Sequence, residues 1–596
     1  MQRVADYVIN RLVDESINHI FTITGRGILY LTDAVAKNQN IDAVFTYHEQ
    51  GASYAAMAYA AKKEKMGACL VSTGCASTNA ITALLCAWQD NLPIIFISGQ
   101  NPLNETTYHT KSKKRTFGSQ ESNIIEIVKS ITKYSVMVED PKDIGCILDE
   151  AFNKANSGRK GPVWIDIPLD IQNYRIDEND IKRIIKTNLS IKCVKEDISS
   201  VVNDLQQSSR PVILIGGGIR CANAVNIIKK MANDKGIPIV FTTTAADVYG
   251  SGNDYSIGAV GSIGGSRAGN FAVQNSDYVL AIGTKLSQQT TGDPNNFARN
   301  AKIVSVNVDS SEFENNNVPL VRKIVSDANC FLKELYTHLK PKEEHRQWMQ
   351  KCIQWKELFS IPNEPFIREL WEKDTIDLYG FSSILSNHLE NDVTVITDAG
   401  FEELIVPSAI KYHDEQRCIF PSNQGAMGYA IPAIIGAYYA GAEKIVAIVG
   451  DGSAMMNIQE LQIIASKQIP VVIFVINNNM YAVIRKRQHD LFRNRTIGND
   501  PSDGLPSPDY SRISQGFGID YCKIDGLNDL NNSLTKVLNS NKPLICEVIC
   551  TQDQKYLHTS VVINDDKKII KRSLEDMSPF LDRNIIMKEL MIDYLG

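Results

Sequence analysis

The sequence lacks the features that would place the protein in a membrane, on nucleic acid or in an oxidising compartment. None of its apolar runs is long enough to span a bilayer, and the formal net charge of −6 gives no overall attraction for nucleic acid or anionic lipid. The 12 cysteines include no Cys-x-x-Cys pair, so we interpret them as reduced core residues. The first residues already include an acid, Asp6, which is not typical of a signal peptide. These absences predict a cytoplasmic protein with no nucleic-acid or membrane partner.

The length of 596 residues exceeds what one hydrophobic core holds, and about 150 residues per domain predicts three or four domains. Apolar runs of strand length alternate with helical patterns over residues 1–175, 190–340 and 366–555. In the first of these ranges we predict strands at 20–23, 43–45, 68–71 and 93–97, and helices over 50–63 and 77–88. The alternation predicts an α/β fold of three doubly wound parallel-sheet domains, followed by a tail over 556–596.

The most informative stretch is an apolar run that ends in Gly450-Asp451-Gly452-Ser453, followed by a second run that ends in Asn477-Asn478-Asn479. This pattern predicts a strand, a tight turn, a helix and a strand. Asp451 and Asn478 are 478 − 451 = 27 residues apart, about one βαβ unit, so both reach the same edge of a sheet. A carboxylate with an amide carbonyl suits a hard cation that keeps a diphosphate as its remaining ligand. The alternative is a buried turn capped by Asp451, with no metal.

A second carboxylate, Glu49, follows another apolar run and opens an alanine-rich helical pattern. Small residues such as Ala52 and Ala55 predict a tightly packed helix start, where an unpaired carboxylate would be costly. Glu49 therefore needs a partner, unless it is an ordinary solvated turn residue or helix cap.

The spacing from Gly450-Asp451-Gly452 to Asn478, together with the stretch His48-Glu49-Gln50-Gly51, resembles the motifs of thiamine-diphosphate (ThDP) enzymes. The resemblance implies that Asp451, Asn478 and the main-chain carbonyl of Met480 hold Mg²⁺. It also implies that Glu49 shares a proton with N1′ of the cofactor's aminopyrimidine ring and so starts catalysis.

Further segments resemble acetohydroxyacid (acetolactate) synthase and its relatives, and the resemblance covers nearly the whole chain. It rests on Thr73–Asn79, Ser98–Gln100, Gln120–Glu121, Ser157–Val163 and the lid-like tail near Arg572–Leu581. It implies a pyrimidine-binding domain, a middle domain and a diphosphate-binding domain, in that order. The implied site residues are Gln120 near the thiazolium ring, Ala399, Gly400, Gly452 and Ser453 at the diphosphate, and Met427 beneath the cofactor. For Met427 the alternative is plain core packing.

The middle domain of the resembled family carries FAD, and this chain has a strand that runs into Gly216-Gly217-Gly218. Such a turn is weak evidence for a dinucleotide by itself. The predicted FAD contacts are Arg159, Gly217, Gly218 and Asp309, with a surface salt bridge as the alternative for Arg159. Because 285–292 differs from the Arg- and Asp-rich flavin loop of the synthase, FAD binding stays open.

Three departures from the synthase add positive charge. Arg26 replaces a glycine, a longer segment holds the run from Lys111 to Arg115, and Arg487 stands where the synthase has a tryptophan that selects its acceptor. Such cations suit an anionic acceptor, although a charge run is often only a solvated face. The pattern from Gln120-Glu121 through Ile171-Gln172, with Pro579–Arg583 near the end, looks closer to synthase-like ThDP proteins of bacterial surface-polysaccharide pathways. In the best-defined type, an acetyl unit from pyruvate is transferred to a nucleotide-activated keto-sugar.

We therefore predict a ThDP- and Mg²⁺-dependent carboligase that joins a 2-keto acid donor, pyruvate, to a carbonyl acceptor, a nucleotide-activated keto-sugar. The runner-up is acetolactate synthase. A simple decarboxylase is weaker, because it usually has a histidine pair in a region where this chain has only His109. A catalytically silent cofactor-binding partner would have no reason to retain Glu49, Asp451 and Asn478. The resemblance implies a homodimer or homotetramer, with Glu49 and Asp451 meeting across a subunit interface.

Overall fold

The first domain alternates short strands with helices, as its apolar runs predict. The computed structural model describes residues 1–184, 194–563 and 569–595 of the chain. The strands of the first domain are β1 (Gln2–Arg3), β2 (His19–Thr22), β3 (Asp42–Phe45), β4 (Gly67–Val71), β5 (Ile94–Gln100), β6 (Tyr134–Met137), β7 (Val163–Pro168) and β8 (Arg175–Ile176). Its helices are α1 (Val4–Asp14), α2 (Leu29–Lys37), α3 (Glu49–Lys63), α4 (Cys75–Asn79), α5 (Ile81–Gln89), α6 (Thr107–Thr110), α7 (Ile124–Val128), α8 (Ile144–Asn156) and α9 (Leu169–Asn173).

The middle domain repeats this alternation, and a helical connection leads out of it. Its strands are β9 (Pro211–Ile215), β10 (Ile239–Phe241), β11 (Ser256–Ala259), β12 (Tyr278–Ile282), β13 (Lys302–Asn307) and β14 (Leu320–Val325). The helices of the domain and the connection are α10 (Lys195–Gln207), α11 (Gly218–Cys221), α12 (Val225–Lys235), α13 (Arg267–Gln274), α14 (Gln288–Thr291), α15 (Ala328–His338), α16 (Glu343–Leu358) and α17 (Pro365–Glu372).

The third domain and the tail complete the described chain. The strands are β15 (Thr394–Thr397), β16 (Arg417–Ile419), β17 (Ile445–Gly450), β18 (Val471–Asn477), β19 (Asp520–Ile524), β20 (Leu544–Ile549), β21 (Val561–Ile563) and β22 (Ile569–Lys571). The helices are α18 (Leu378–Ser386), α19 (Phe401–Ala409), α20 (Ala430–Tyr439), α21 (Asp451–Ala454), α22 (Leu461–Ser466), α23 (Ala482–Leu491), α24 (Tyr510–Phe517), α25 (Leu527–Leu538) and α26 (Arg583–Glu589). A 3₁₀ helix, Met455–Glu460, joins α21 to α22.

In the described ranges, the domains contain three six-stranded sheets in which every strand pairs in parallel. Their strand orders are β3-β2-β4-β5-β7-β6, β11-β10-β9-β12-β13-β14 and β16-β15-β17-β18-β20-β19. Strands inside the sheets, such as β4, β9 and β12, are buried at every residue, whereas edge strands such as β14 and β19 alternate or are half exposed. Continuous apolar runs form the inner strands because helices cover both faces of a parallel sheet.

These sheets confirm the predicted α/β fold of three doubly wound parallel-sheet domains. Each six-stranded sheet falls inside one of the ranges 1–175, 190–340 and 366–555, and the domain boundaries themselves stay a prediction. The helix predicted over 77–88 is two helices, α4 and α5, which meet at Ala80. The hydroxyl groups of Ser77 and Thr78 donate to the backbone carbonyls of Ser72 and Cys75, just before this stretch, and such local bonds compete with regular helix formation. The polar, mixed-charge stretch over about 174–200 also predicts a linker, and part of it lies outside the described residues.

The first and third domains pack through two helices rich in small residues, α3 and α20. A Cβ atom on Gly436 of α20 would lie 2.0 Å from the main-chain oxygen of Ala55 in α3, so only glycine permits this approach. One apolar core accordingly runs from the first sheet through both helices into the third sheet. The contact fixes how the carboxyl edges of the two sheets are placed relative to each other.

The C-terminal segment 569–595 lies against the middle domain. Glu575 is ion-paired with Arg299 at 2.7 Å and accepts a hydrogen bond from Gln274 at 2.7 Å. Leu574 and Met577 join the apolar core of that domain. The lid role implied for the tail stays a prediction. No helix in the described part of the chain is long and apolar enough to cross a membrane.

We expect Gly436→Ala to lower the apparent melting temperature, because the added methyl group would force α3 and α20 apart. Overpacking of this kind typically costs about 1–3 kcal/mol. The control is Gly516→Ala in α24, where an added Cβ meets nothing within 4 Å and where alanine favours the helix by up to about 1 kcal/mol. Thermal unfolding of both variants measures the difference. A Gly436→Ala protein as stable as the control would contradict the close approach.

Candidate active site

The predicted metal ligands of the third domain lie together at the carboxyl ends of β17 and β18. Asp451 begins α21, and its two carboxylate oxygens accept hydrogen bonds from the backbone N–H groups of Gly452 (2.8 Å) and Asn479 (2.9 Å). The amide oxygen of Asn478 accepts from the N–H of Met480 at 3.2 Å, which closes a turn with Asn479 in the left-handed region. Asp451 and the Asn478–Met480 turn are therefore in direct contact. Burial raises the pKa of Asp451 to about 6.

The glycine next to Asp451 allows a close approach of the backbone. A Cβ atom on Gly452 would lie 1.8 Å from the ring of Tyr481, so no other residue fits this turn. The hydroxyl group of Tyr510 donates to the main-chain oxygen of Asp451 and ties the turn to α24. The turn therefore presents its carboxylate from a backbone that is held on both sides.

Ser453 and Asp398 connect this turn to the segment that carries Met427. The Ser453 hydroxyl donates to Asp398 at 2.7 Å and accepts from the N–H of Gly428 at 2.8 Å. Gly428 has a positive φ of 78°, and Met427 before it is half-buried. Asp398 also accepts from the N–H of Ala430 at 3.2 Å, while its Oδ1 atom is buried without a hydrogen-bond partner among the described residues. Burial raises the pKa of Asp398 to about 7.

Glu402 also lies at this edge, although no sequence pattern singled it out. The segment after β15 passes through buried Ala399 and through Gly400, whose φ is 101°. A Cβ atom on Gly400 would lie 2.5 Å from Oε2 of Glu402, and one on Gly450 would lie 3.3 Å from Oε1. Glu402 is only 6% exposed, and burial raises its pKa to about 8, with Asp398 and Asp451 adding to the shift. An acidic residue in the first turn of a helix usually lies in solvent as a cap. Only the burial of Glu402 in the structure therefore identifies it as part of this edge.

The carboxyl edge of the first sheet holds Glu49 at the start of α3. The side chain of Asn79 donates to Oε2 of Glu49 at 2.9 Å, and the Glu49 carboxylate is half-buried. His48 caps the helix, because its ring nitrogen Nδ1 accepts from the N–H of Gln50 at 3.0 Å. The packed helix start predicted from the sequence is therefore present, and Asn79 is a partner of Glu49 that the sequence did not identify.

Arg26 and Gln120 lie on loops at the carboxyl edge of the first sheet, and two glycines allow these loops to pack closely there. Cβ atoms on Gly27 and Gly74 would lie 2.0 Å from Oγ1 of Thr73 and 2.3 Å from the main-chain oxygen of Gln120, respectively. The loop of Arg26 and the loop of Gln120 thus both press on the Thr73-Gly74 turn. The side chains of Arg26 and Gln120 are exposed.

The other added cations differ in their surroundings. Lys111 lies over the ring of Tyr108 at 4.5 Å, and Lys114 lies over the ring of Phe117 at 4.3 Å. Arg487 is exposed on α23 and has no hydrogen bond or ion pair within the described residues.

Three of the four residues predicted to contact FAD lie elsewhere, around a cavity of about 290 Å³ between the three domains, and Asp309 is not part of its lining. Arg159, Gly217 and Gly218 line the cavity, together with Lys285 and Arg417. The Arg159 guanidinium donates to Asn91 at 2.6 Å and is ion-paired with Glu312 and, at 3.3 Å, with Asp309. Arg159 and Asp309 are thus joined to each other across the boundary of the first and middle domains.

The predicted functional groups at the carboxyl edges of the first and third sheets do not bind one another within the described part of one chain. In the ranges that the structure describes, no hydrogen bond or ion pair links Glu49 to Asp451, Asn478 or Met480. Each edge presents half of the predicted site.

Comparison with known proteins identifies the family. Profiles of the thiamine pyrophosphate enzymes match residues 2–127 (N-terminal TPP binding domain), 198–335 (central domain) and 398–548 (C-terminal TPP binding domain). The chain belongs to the ThDP-dependent enzymes and, within them, to the acetolactate synthase-like family, whose members are ThDP-dependent carboligases. The enzyme class predicted from the sequence is thereby confirmed.

Three relatives illustrate the similarity, and all are acetolactate synthases by name. The large subunit from Cyanidium caldarium is 30% identical over 570 residues, which cover 92% of this chain and 93% of the relative. The large subunit from Lactococcus lactis subsp. lactis (strain IL1403) is 28% identical over 557 residues, with 92% and 93% covered. The chloroplastic acetolactate synthase 2 of Nicotiana tabacum is 28% identical over 570 residues, with 93% and 83% covered.

The residues at the third-domain edge fit a Mg²⁺–diphosphate group. Among the described residues the Asp451 carboxylate accepts hydrogen bonds only from backbone N–H groups, and Asn478 offers an amide oxygen beside it. Oxygen donors of this kind, with phosphate oxygens as further ligands, are what Mg²⁺ prefers.

We expect the apparent affinity for Mg²⁺ to fall about tenfold for each pH unit below 6, because a proton then competes for the Asp451 carboxylate, and to level off above pH 7. Isothermal titration of Mg²⁺ into the protein with excess ThDP measures this. In the Asp451→Asn control, binding should be weaker and its pH slope smaller by one proton. Equal slopes would contradict the assignment of Asp451. In the metal-free protein the raised pKa makes the contribution of Asp451 to folding stability larger at low pH. The carboxyl group stabilises the fold below its usual pKa of 3.8, and this contribution is lost as the pH rises through 6.

Proposed function

We propose that the protein uses ThDP and Mg²⁺ to transfer an acetyl unit from pyruvate, a small 2-keto acid donor, to a carbonyl acceptor. The observation that carries the proposal is that one carboxylate oxygen of Glu49 is available to a ligand. Asn79 binds Oε2, whereas Oε1 accepts no hydrogen bond within the described residues. A half-buried carboxylate held on one side can share a proton with N1′ of an aminopyrimidine on the other.

The third domain would hold the metal and the diphosphate. In this proposal Asp451, Asn478 and the main-chain oxygen of Met480 bind Mg²⁺, and the backbone around Gly400 and Gly452 lies against the diphosphate. When bound, ThDP supplies a carbon nucleophile and an electron sink for the loss of CO₂. Ala399 and Ser453 line the same part of the proposed diphosphate site. The hydrogen bonds of Ser453 keep the Gly428 turn in place.

Two further residues would shape the reacting end of the cofactor. Met427 follows Gly425 and precedes Gly428, both with positive φ, so its side chain projects from a tight turn where it can support the cofactor from below. Gln120 would lie beside the thiazolium ring, because its loop rests on the Thr73-Gly74 turn at the same edge as Glu49. Both assignments come from the family resemblance, and the local geometry supports them.

We infer that the active form is a homodimer, or a homotetramer built from dimers, with each site completed by two chains. Within the described residues of one chain no hydrogen bond or ion pair joins Glu49 to Asp451, Asn478 or Met480, which is compatible with this inference. Exposed apolar side chains next to both halves also support it, since such side chains are usually covered by a partner. These are Phe45 (48% exposed), Tyr47 (60%), Met455 (42%) and Met456 (49%).

For the acceptor we propose a nucleotide-activated keto-sugar. Arg26 and Arg487 are exposed cations without hydrogen bonds or ion pairs in the described parts of the chain, so both are available to an anionic ligand. An arginine binds phosphate oxygens through paired hydrogen bonds, which an apolar tryptophan at position 487 would not do.

Acetolactate formation is the second candidate, and the relatives favour it. The three relatives named above each match over more than nine-tenths of this chain, and all three are acetolactate synthases by name. In that case pyruvate itself, or another 2-keto acid, would be the acceptor.

We also infer that the cavity between the domains binds the nucleotide portion of FAD. Its volume of about 290 Å³ is near the lower end of the roughly 300–1,000 Å³ usual for ligand pockets. Its wall includes the glycine turn at Gly217-Gly218 and the cations Arg159 and Lys285, which suit phosphate groups.

We expect Glu49→Gln to bind ThDP with near-normal affinity and to lose turnover by roughly 10²–10⁴-fold, because an amide cannot share the N1′ proton. Release of CO₂ from pyruvate and ThDP titration measure the two effects. Mixing this variant with Asp451→Ala subunits should restore part of the activity, since a hybrid dimer keeps one intact site. Near wild-type turnover of Glu49→Gln would remove Glu49 from its role.

We expect Arg487→Trp to shift product formation from acetyl transfer towards acetolactate, with a loss of about 1.5–3 kcal/mol for each charge-assisted hydrogen bond to the acceptor. Products are analysed with pyruvate alone and with pyruvate plus a 4-keto sugar nucleotide. The control is Lys486→Trp on the same helix, because Lys486 is already paired with Asp490 at 2.7 Å. Efficient acetolactate synthesis by the wild type, unaffected by the sugar nucleotide, would favour the second candidate.

A further inference from the structure

The segment from Asp451 to Glu460 carries a predicted metal ligand at its start and a buried carboxylate at its end. It consists of α21 and the 3₁₀ helix Met455–Glu460, with a break at Asn457, whose φ and ψ of −133° and 37° are not helical. The Glu460 side chain has no exposure to solvent. A carboxylate in that position needs partners, and it finds them in the first domain.

Glu460 binds the backbone immediately before Glu49. Its Oε1 and Oε2 atoms both accept from the N–H of Tyr47 at 3.1 Å, and Oε1 also accepts from the N–H of His48 at 3.1 Å. These N–H groups lie at the N-terminal end of α3, where a negative charge is also favoured by the helix dipole. Gly51 makes room for the contact, since a Cβ atom there would lie 2.5 Å from Oε1 of Glu460.

Asn457 adds a second contact on the other side of Glu49. Its side-chain amide donates to Oε1 of Gln50 at 3.1 Å and to the main-chain oxygen of Gly428 at 2.8 Å. The same amide group therefore joins the first turn of α3 to the turn that follows Met427. Glu460 and Asn457 together bind residues on both sides of Glu49. The Glu49 carboxylate itself is bound by Asn79.

We propose that Glu460 is a positioning residue for Glu49: by accepting the N–H groups of Tyr47 and His48, it sets the direction in which the Glu49 carboxylate leaves the helix. This inference rests on the proposed function, in which Glu49 meets the N1′ atom of ThDP. Without the acceptor, both N–H groups lose their partner and the first turn of α3 is free to shift. A shift of about 1 Å can lower a rate by roughly 10²-fold, because proton transfer requires hydrogen-bond distance.

The test compares Glu460→Gln, Glu460→Asp and Glu460→Ala in the full-length protein. Glutamine keeps an oxygen at the same reach, aspartate withdraws the carboxylate by one carbon, and alanine removes the acceptor. Two readouts are used: hydrogen–deuterium exchange of the peptide covering residues 41–52 in the cofactor-free protein, by mass spectrometry, and the rate of exchange of the C2 proton of bound ThDP, by quenched-flow NMR. The control is Glu589→Ala, which removes a buried carboxylate that binds Lys351 and Trp355.

In the alanine and aspartate variants we expect backbone exchange of the 41–52 peptide to rise, because Tyr47 and His48 lose their acceptor, and C2 exchange to slow by about 10- to 100-fold. The glutamine variant and the Glu589→Ala control should stay near the wild type. If the alanine variant does not fold, the aspartate and glutamine pair still gives the comparison.

Two results would overturn the positioning role. One is C2 exchange at the wild-type rate in every Glu460 variant, and the other is equal slowing by glutamine and alanine. Failure of the proposed function looks different, because the wild-type protein itself would then bind no ThDP, and the positioning role would fall with it.

Discussion

The close approach of α3 and α20, where Gly436 meets the carbonyl oxygen of Ala55, is the contact on which the arrangement of the site depends. It allows the first and third domains to share one apolar core. Because the backbones touch, the helices have little freedom to slide, and interiors packed at this density transmit displacements rather than absorb them. The same contact carries α3, and with it Glu49, to the segment that ends in Glu460. One methyl group at position 436 would therefore act on the fold and on the site at once.

Buried acids dominate the electrostatics of the third-domain edge. Burial raises the pKa values of Asp398 to about 7, of Glu402 to about 8 and of Asp451 to about 6. Keeping such groups near one another without a cation is costly, and clusters of this kind are found where function requires them. A divalent cation bound by Asp451 would reverse the local balance by favouring the ionised form of the acids around it.

The three domains also meet around an ion-pair network beside the interdomain cavity. Arg220 of the middle domain pairs with Glu64 of the first at 2.7 Å, and Arg417 of the third pairs with Glu64 at 3.0 Å and with Asp247 of the middle domain at 2.8 Å. Burial alone would raise the pKa of Asp247, but the two arginines outweigh it and hold the pKa below its usual value. Each arginine pairs with both carboxylates, so the network joins all three domains at once and favours a single arrangement of them. The cavity that would take a nucleotide is formed by that arrangement.

The sequence by itself determined the parallel sheets and predicted the two ends of the site, because both follow from short-range patterns. Continuous apolar runs specify strands buried on both faces, and the 27-residue interval from Asp451 to Asn478 places both at the ends of neighbouring strands. Only the tertiary structure decided the partners of the predicted catalytic groups. Asn79 reaches Glu49 across 30 residues, and Glu460 binds the backbone of Tyr47 across 413. Neither contact has a period or a spacing that a sequence could display, because each depends on how whole helices and domains pack. The burial of Glu402 was decided in the same way: in sequence it is an ordinary acid in the first turn of a helix, and only the fold around it removes it from water.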